Sequence, residues 1–115
     1  MTNPELKKTI RALRKASKNG GPAIWGALAD ELDKAKRGRV AVNLSRINRH
    51  SEAGNVVAVP GKVLAAGALR HPVTVAAFSF SEKAREKTEL AGGRALSLTE
   101  LLTEEIEPSN IRILK

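Results

Sequence analysis

The segment Val73–Phe80, VTVAAFSF, is apolar at almost every position and rich in strand formers. A strand with one wet face alternates polar and apolar residues, and this one does not. Such a run fits a strand buried on both faces, which calls for helices above and below a sheet. The residues around it supply them. Val56–Val59 reads as a preceding strand, and Ser81 can cap a helix over Glu82–Ala91 that Gly92-Gly93 ends. Arg94–Leu98 reads as a third strand and Thr99–Ile106 as a helix carrying Leu101, Leu102 and Ile106. A turn at Glu107–Asn110 then leads to a last strand, Ile111–Leu114. Strand, helix, strand, helix, strand predicts an α/β fold with right-handed crossovers and a short, largely parallel sheet.

Upstream the pattern is helical. Asn3 suits an N-cap, Pro4 the first helical position and Glu5 the positive end of the dipole. This helix should run to about Lys18 and stop at Asn19-Gly20-Gly21. Pro22 opens a second, Ala23–Lys36, with Ile24, Trp25, Leu28, Leu32 and Ala35 as its buried stripe. A short strand, Val40–Val42, precedes Asn43, a plausible cap for a helix over Leu44–His50 with Leu44 and Ile47 inward. We expect a single domain over residues 1–115, with a basic helical part (1–54) and a neutral α/β part (55–115).

The division is one of charge. Residues 1–50 hold twelve basic and four acidic side chains, a net of +8; residues 51–115 hold eight of each. The whole excess of the chain therefore lies in its first half, which points to a polyanionic partner. At 100° per residue, Lys7, Lys8, Arg11, Arg14, Lys15 and Lys18 fall within an arc of about 120°. Leu6, Ile10 and Leu13 form a narrower stripe beside it. Six cations on one face with one carboxylate in the helix repel each other unless phosphates lie against them. Lys34, Lys36, Arg37 and Arg39 crowd the end of the second helix beyond what its dipole needs. Arg46, Arg49 and His50 should project outward from the third.

Val59–Pro72, VPGKVLAAGALRHP, is the other unusual stretch. Gly61-Lys62 matches the tail of a phosphate-binding loop, but Val56 and Val63 stand where that motif needs Gly and Ser or Thr. Pro60-Gly61 instead predicts a type II turn with positive φ at Gly61, and Gly67 a tight bend or a close backbone approach. Lys62, Arg70 and His71 are the polar exceptions there. Other chemistry has little to work with: there is no cysteine, and His50 and His71 are the only histidines. No metal site, catalytic group, cofactor or small-molecule substrate is expected. No run approaches a membrane span, and MTNPELKKTI lacks the features of a signal peptide. For a metal-dependent hydrolase, which needs clustered carboxylates, the basic half offers only Glu5, Asp30, Glu31 and Asp33, and Glu100, Glu104, Glu105 and Glu107 lie without basic neighbours in sequence; acidic helix faces account for both groups.

Several segments carry a resemblance: VNLSRINRH (42–50), VAVPGKVLAAGALRHPVTVAAFSFS (57–81), Ala84, and Ala91-Gly92-Gly93. TNPELKKTIRALRKAS and PAIWGALADELDKAKRGRVAVNL fit the same pattern. Together they resemble the archaeal and eukaryotic large-subunit ribosomal protein L-eighteen-e family, of archaeal type, related to bacterial large-subunit protein fifteen. The resemblance implies a small irregular strand-strand-helix assembly in the cytoplasmic ribosome. It further implies binding to large-subunit ribosomal RNA, contact with neighbouring large-subunit proteins, and no catalytic residues. The bacterial relatives carry a long Gly- and Arg-rich arm where this chain has a basic helix, so contact should fall on helices and turns. The residues agree on the partner class. Aromatics number three, Trp25, Phe78 and Phe80, with both phenylalanines in the most apolar strand, so base-stacking platforms are lacking. Folded RNA gripped through phosphates and sugars fits better than single-strand reading. A free RNA-binding or rRNA-processing factor is the alternative.

Overall fold

The computed structural model describes residues 4–18, 20–34, 40–104 and 106–115. At its centre is the apolar run. β3 (Thr74–Phe80) lies between β2 (Val56–Leu64) and β4 (Arg94–Ser97), both parallel to it. The other edge of β2 is shared by two short strands placed end to end. β5 (Ile111–Ile113) pairs with Val56–Ala58, and β1 (Val40–Asn43) with Gly61–Leu64, again parallel. The α/β class and the parallel sheet expected from the sequence are therefore present.

Side chains alternate between two cores. Ala58 and Ala76 join Leu96 beneath α1 (Pro4–Lys18), α2 (Ala23–Leu32) and α5 (Leu98–Thr103). Val57, Val59, Val75 and Ala77 face the opposite layer, α3 (Leu44–Arg49) and α4 (Glu82–Leu90). Both faces of the sheet are covered, as a run like VTVAAFSF requires. α1 rests on α2 and α5, with Leu13 and Leu28 fully buried between layers. Each such leucine contributes about 1.5–3 kcal/mol from area removed from water. Ser81 caps α4 through Ala84 N–H, as expected. Ser97 and Glu100 form a reciprocal capping box on α5, a feature absent from the expectations above.

The Pro60-Gly61 expectation is corrected. Neither a turn nor a positive φ occurs there; β2 continues through both residues to Leu64. The register against β3 slips between Val59 and Lys62, so Pro60-Gly61 form a bulge. Pro60, which has no N–H to donate, falls where the edge partner changes from β5 to β1, so it removes no ladder bond on that side. Gly61 is required by contact: a β-carbon there would lie 1.9 Å from the Val40 carbonyl oxygen. Gly67 does have φ +85° and abuts Ser45, combining the bend and the close approach.

Boundaries differ elsewhere by small amounts. α2 ends at Leu32 and not Lys36; Asp33 is its C-cap, with its N–H donating to Ala29 O and its carboxylate accepting from Arg14. Asn3, Asn19 and Ala35 lie outside the described residues. α5 begins one residue early on its Ser97 cap and ends at Thr103, where Glu104 becomes extended. Glu104 is not without a basic neighbour: it forms an ion pair with Arg94. No helix among the described residues is long and apolar enough to cross a membrane.

Candidate nucleic-acid interface

Leu6, Thr9 and Leu13 are the buried residues of α1, so its opposite arc is turned to solvent. Lys7, Lys8, Arg11, Arg14, Lys15 and Lys18 are all exposed on it. Lys7, Arg11, Arg14, Lys15 and Lys18, with Ile10 and Asp33, border an open groove of about 630 Å³. Arg14 differs from the others. Its Nη2 donates to Asp33 at 2.8 Å and lies 3.5 Å from Asp30, so two carboxylates of the α2 region hold it. The hydrogen bond to Asp33, more than any other cause, raises the Arg14 pKa above its ordinary value. The remaining five form no ion pair with a carboxylate among the described residues.

Lys34 is tied to Glu31 at 2.9 Å, and Glu31 also accepts from Lys115 Nζ at 2.7 Å. These two ammonium groups, Lys115 first, pull the Glu31 pKa below the usual carboxylate range. Lys36, Arg37 and Arg39 lie outside the described residues.

A second basic cluster sits on the other side of the sheet. Arg46, Arg49 and His50 are exposed, as the α3 pattern requires once Leu44 and Ile47 are buried. Arg46 Nη2 donates to the backbone oxygen of Lys115 at 2.7 Å. Arg112 Nη1 donates to the His50 carbonyl oxygen, also at 2.7 Å. Arg49, His50 and Arg112 thereby border a polar groove of about 410 Å³, with Ser51, Glu52 and Asn55. Sequence reasoning misses Arg112 and Lys115. Their place beside α3 depends on which strand β5 pairs with, and no local pattern encodes that.

The connection after β2 is bound to α3. Ser45 N–H donates to Ala66 O and Arg70 N–H to Asn48 Oδ1, leaving the Arg70 side chain exposed. His71 is half-buried, with Nε2 3.0 Å from Ser51 Oγ. Because that hydroxyl already donates to Ile47 O, it accepts from His71, which gives this histidine a structural bond. Lys62 is exposed on β2 across from Ala41 and Ser79. The described candidates are thus not one patch: those of α1 lie over one face of the sheet, those of α3 and its connection over the other.

Aromatic faces are not on offer. Trp25 is buried between the helices, Phe78 packs against the same core, and the half-buried Phe80 carries the Arg85 guanidinium 5.0 Å above its ring. The surface offers separated cations and backbone polar groups, the chemistry of phosphate and sugar contact.

The large ribosomal subunit protein eL18 of Methanothermobacter thermautotrophicus is 50% identical over 114 residues, spanning 99% of this chain and 94% of that protein. The eL18 proteins of Methanococcus maripaludis and Sulfolobus acidocaldarius are each 42% identical, over 98% and 99% of the chain. Residues 27–96 match the family described as ribosomal proteins 50S-L15, 50S-L18e and 60S-L27A. On this match and these identities, the chain belongs to that ribosomal protein family.

Proposed function

We propose that the protein is a structural, non-catalytic constituent of the cytoplasmic large ribosomal subunit. It binds folded large-subunit rRNA through phosphate and sugar contacts and touches neighbouring large-subunit proteins. One observation carries the reading of binding mode. Five cations of α1 share one solvent face with no carboxylate paired to them among the described residues, while each aromatic ring is packed into a core or covered. A face of that kind favours a polyanion and gains little from base stacking. Arg46, Arg49 and His50, with Arg70 and Lys62, supply further contacts. Lys36, Arg37 and Arg39 belong to the same proposal on sequence grounds. Residues 1–115 act as one domain whose basic part holds most of the footprint.

Sedimentation of a cell extract tests the assignment. The chain should remain with intact large subunits after a high-salt wash. Recovery only at the top of the gradient would instead favour a free RNA-binding or rRNA-processing factor.

A further inference from the structure

A third surface lies on the outer side of α4. Leu90 is 85% exposed there, the large apolar side chain left in solvent among the described residues. A lone exposed leucine is ordinary. Its surroundings are not, because two hollows flank it. One, of about 270 Å³, is bordered by Gly67, Ala68, Leu69 and Ala91; the other, of about 410 Å³, by Glu86 and Glu89.

The apolar hollow is held in shape. Lys87 Nζ donates to Ala65 O at 2.9 Å and to Gly67 O at 3.1 Å, pinning the connection after β2 to α4. A surface fixed beforehand loses less entropy when a partner docks. The same bonds tie Lys87 to the chain's own carbonyls. Arg85 is likewise directed to Phe80 and the Ala95 carbonyl. Lys83 lies two helical turns from Leu90. Glu86 and Glu89, with Leu90, border the second hollow, and no described cation borders it.

We propose that this face docks a Lys- or Arg-rich segment of a neighbouring protein. An apolar side chain of the segment seats beside Leu90 against Ala68 and Leu69, while its cations meet Glu86 and Glu89. The inference rests on the large-subunit reading above and names the chemistry of one protein partner. Charge complementarity selects the occupant.

The chain has no cysteine, so Leu90→Cys introduces a single thiol at an exposed site. The full-length variant, labelled with benzophenone maleimide, is assembled into large subunits and irradiated. Cross-linking to a Lys- or Arg-rich protein peptide is expected. Adding Glu86→Gln and Glu89→Gln should lower that yield by about threefold or more while leaving binding of the free protein to rRNA unchanged. Three results would overturn the proposal: cross-links to rRNA, thiol labelling in subunits as fast as in the free protein, or a yield indifferent to the two Gln changes. If even the unaltered chain is missing from salt-washed subunits, the large-subunit reading fails and this inference falls with it.

Discussion

Gly61 and Lys62 are adjacent yet have opposite roles. A β-carbon on Gly61 would sit 1.9 Å from the Val40 carbonyl oxygen, so any side chain pushes β1 off β2. Gly61→Ala should therefore lower unfolding free energy by more than about 1 kcal/mol, the usual cost of forcing packed backbone apart. Lys62 is exposed, and Lys62→Gln should leave the denaturation midpoint nearly unchanged while weakening RNA binding. Denaturant titrations and binding isotherms on both variants check the division; normal stability in the Gly61→Ala variant would show that β1 yields freely. Arg14 is the converse of Lys62. Its bonds to Asp33 and Asp30 tie α1 to the end of α2, so Arg14→Gln should reduce stability slightly and RNA affinity less than its neighbours do.

Among elements, α1 and α4 make a natural comparison, because both are charged helices: five of the six α1 cations have no carboxylate partner among the described residues, whereas Arg85 and Lys87 of α4 are engaged. Changing Lys7, Arg11, Lys15 and Lys18 to Gln should flatten the salt dependence of rRNA binding, by roughly 0.7–0.9 in slope per lost phosphate contact. Changing Lys83 and Arg85 should do much less, since Arg85 is directed to Phe80 and Ala95. Equal losses from both sets would remove α1 as the centre of the footprint. Ser97→Ala, which breaks the capping box of α5, should cost about 1 kcal/mol in a thermal or denaturant melt without altering RNA binding. What the sequence reveals and conceals follows the range of the interactions. β3, the Ser81 cap, the Gly67 bend and the α1 arc each rest on residues within a few positions of one another, and each is legible. The Pro60-Gly61 bulge is not: Pro-Gly reads locally as a turn, and the edge shared by β1 and β5 is what accommodates it within a strand. Arg14 looks like the other five cations because Asp33, its partner, is 19 residues away. Arg112 and Lys115 look like tail charges until the pairing of β5 places them beside α3 and α2.

Across the whole molecule, a run of polar contacts from Arg46 to Lys34 closes the sheet edge where β5 gives way to β1. Arg46 of the α3 layer holds the backbone oxygen of Lys115, and the Lys115 ammonium holds Glu31 of the opposite layer, which also accepts from Lys34. Two helical layers are thus joined around the sheet through Lys115. Lys115, and secondarily Lys34, keep the Glu31 pKa below its ordinary value, and hydrogen bonds from Ser97 do the same for Glu100. In both cases the folded state binds its proton less readily than the unfolded chain does. Their contribution is therefore complete above the unfolded carboxylate range and is lost as pH falls through the lower, folded values. Denaturation midpoints measured from about pH 6 down to about pH 3 should fall with acid. Glu31→Gln should lower the midpoint near neutrality and make the acid decline shallower, because one of the groups that drives it is gone. A wild-type acid profile in the Glu31→Gln variant would mean that the Lys115 tie contributes nothing to folding, and that the two layers are held together by the sheet and its apolar cores alone.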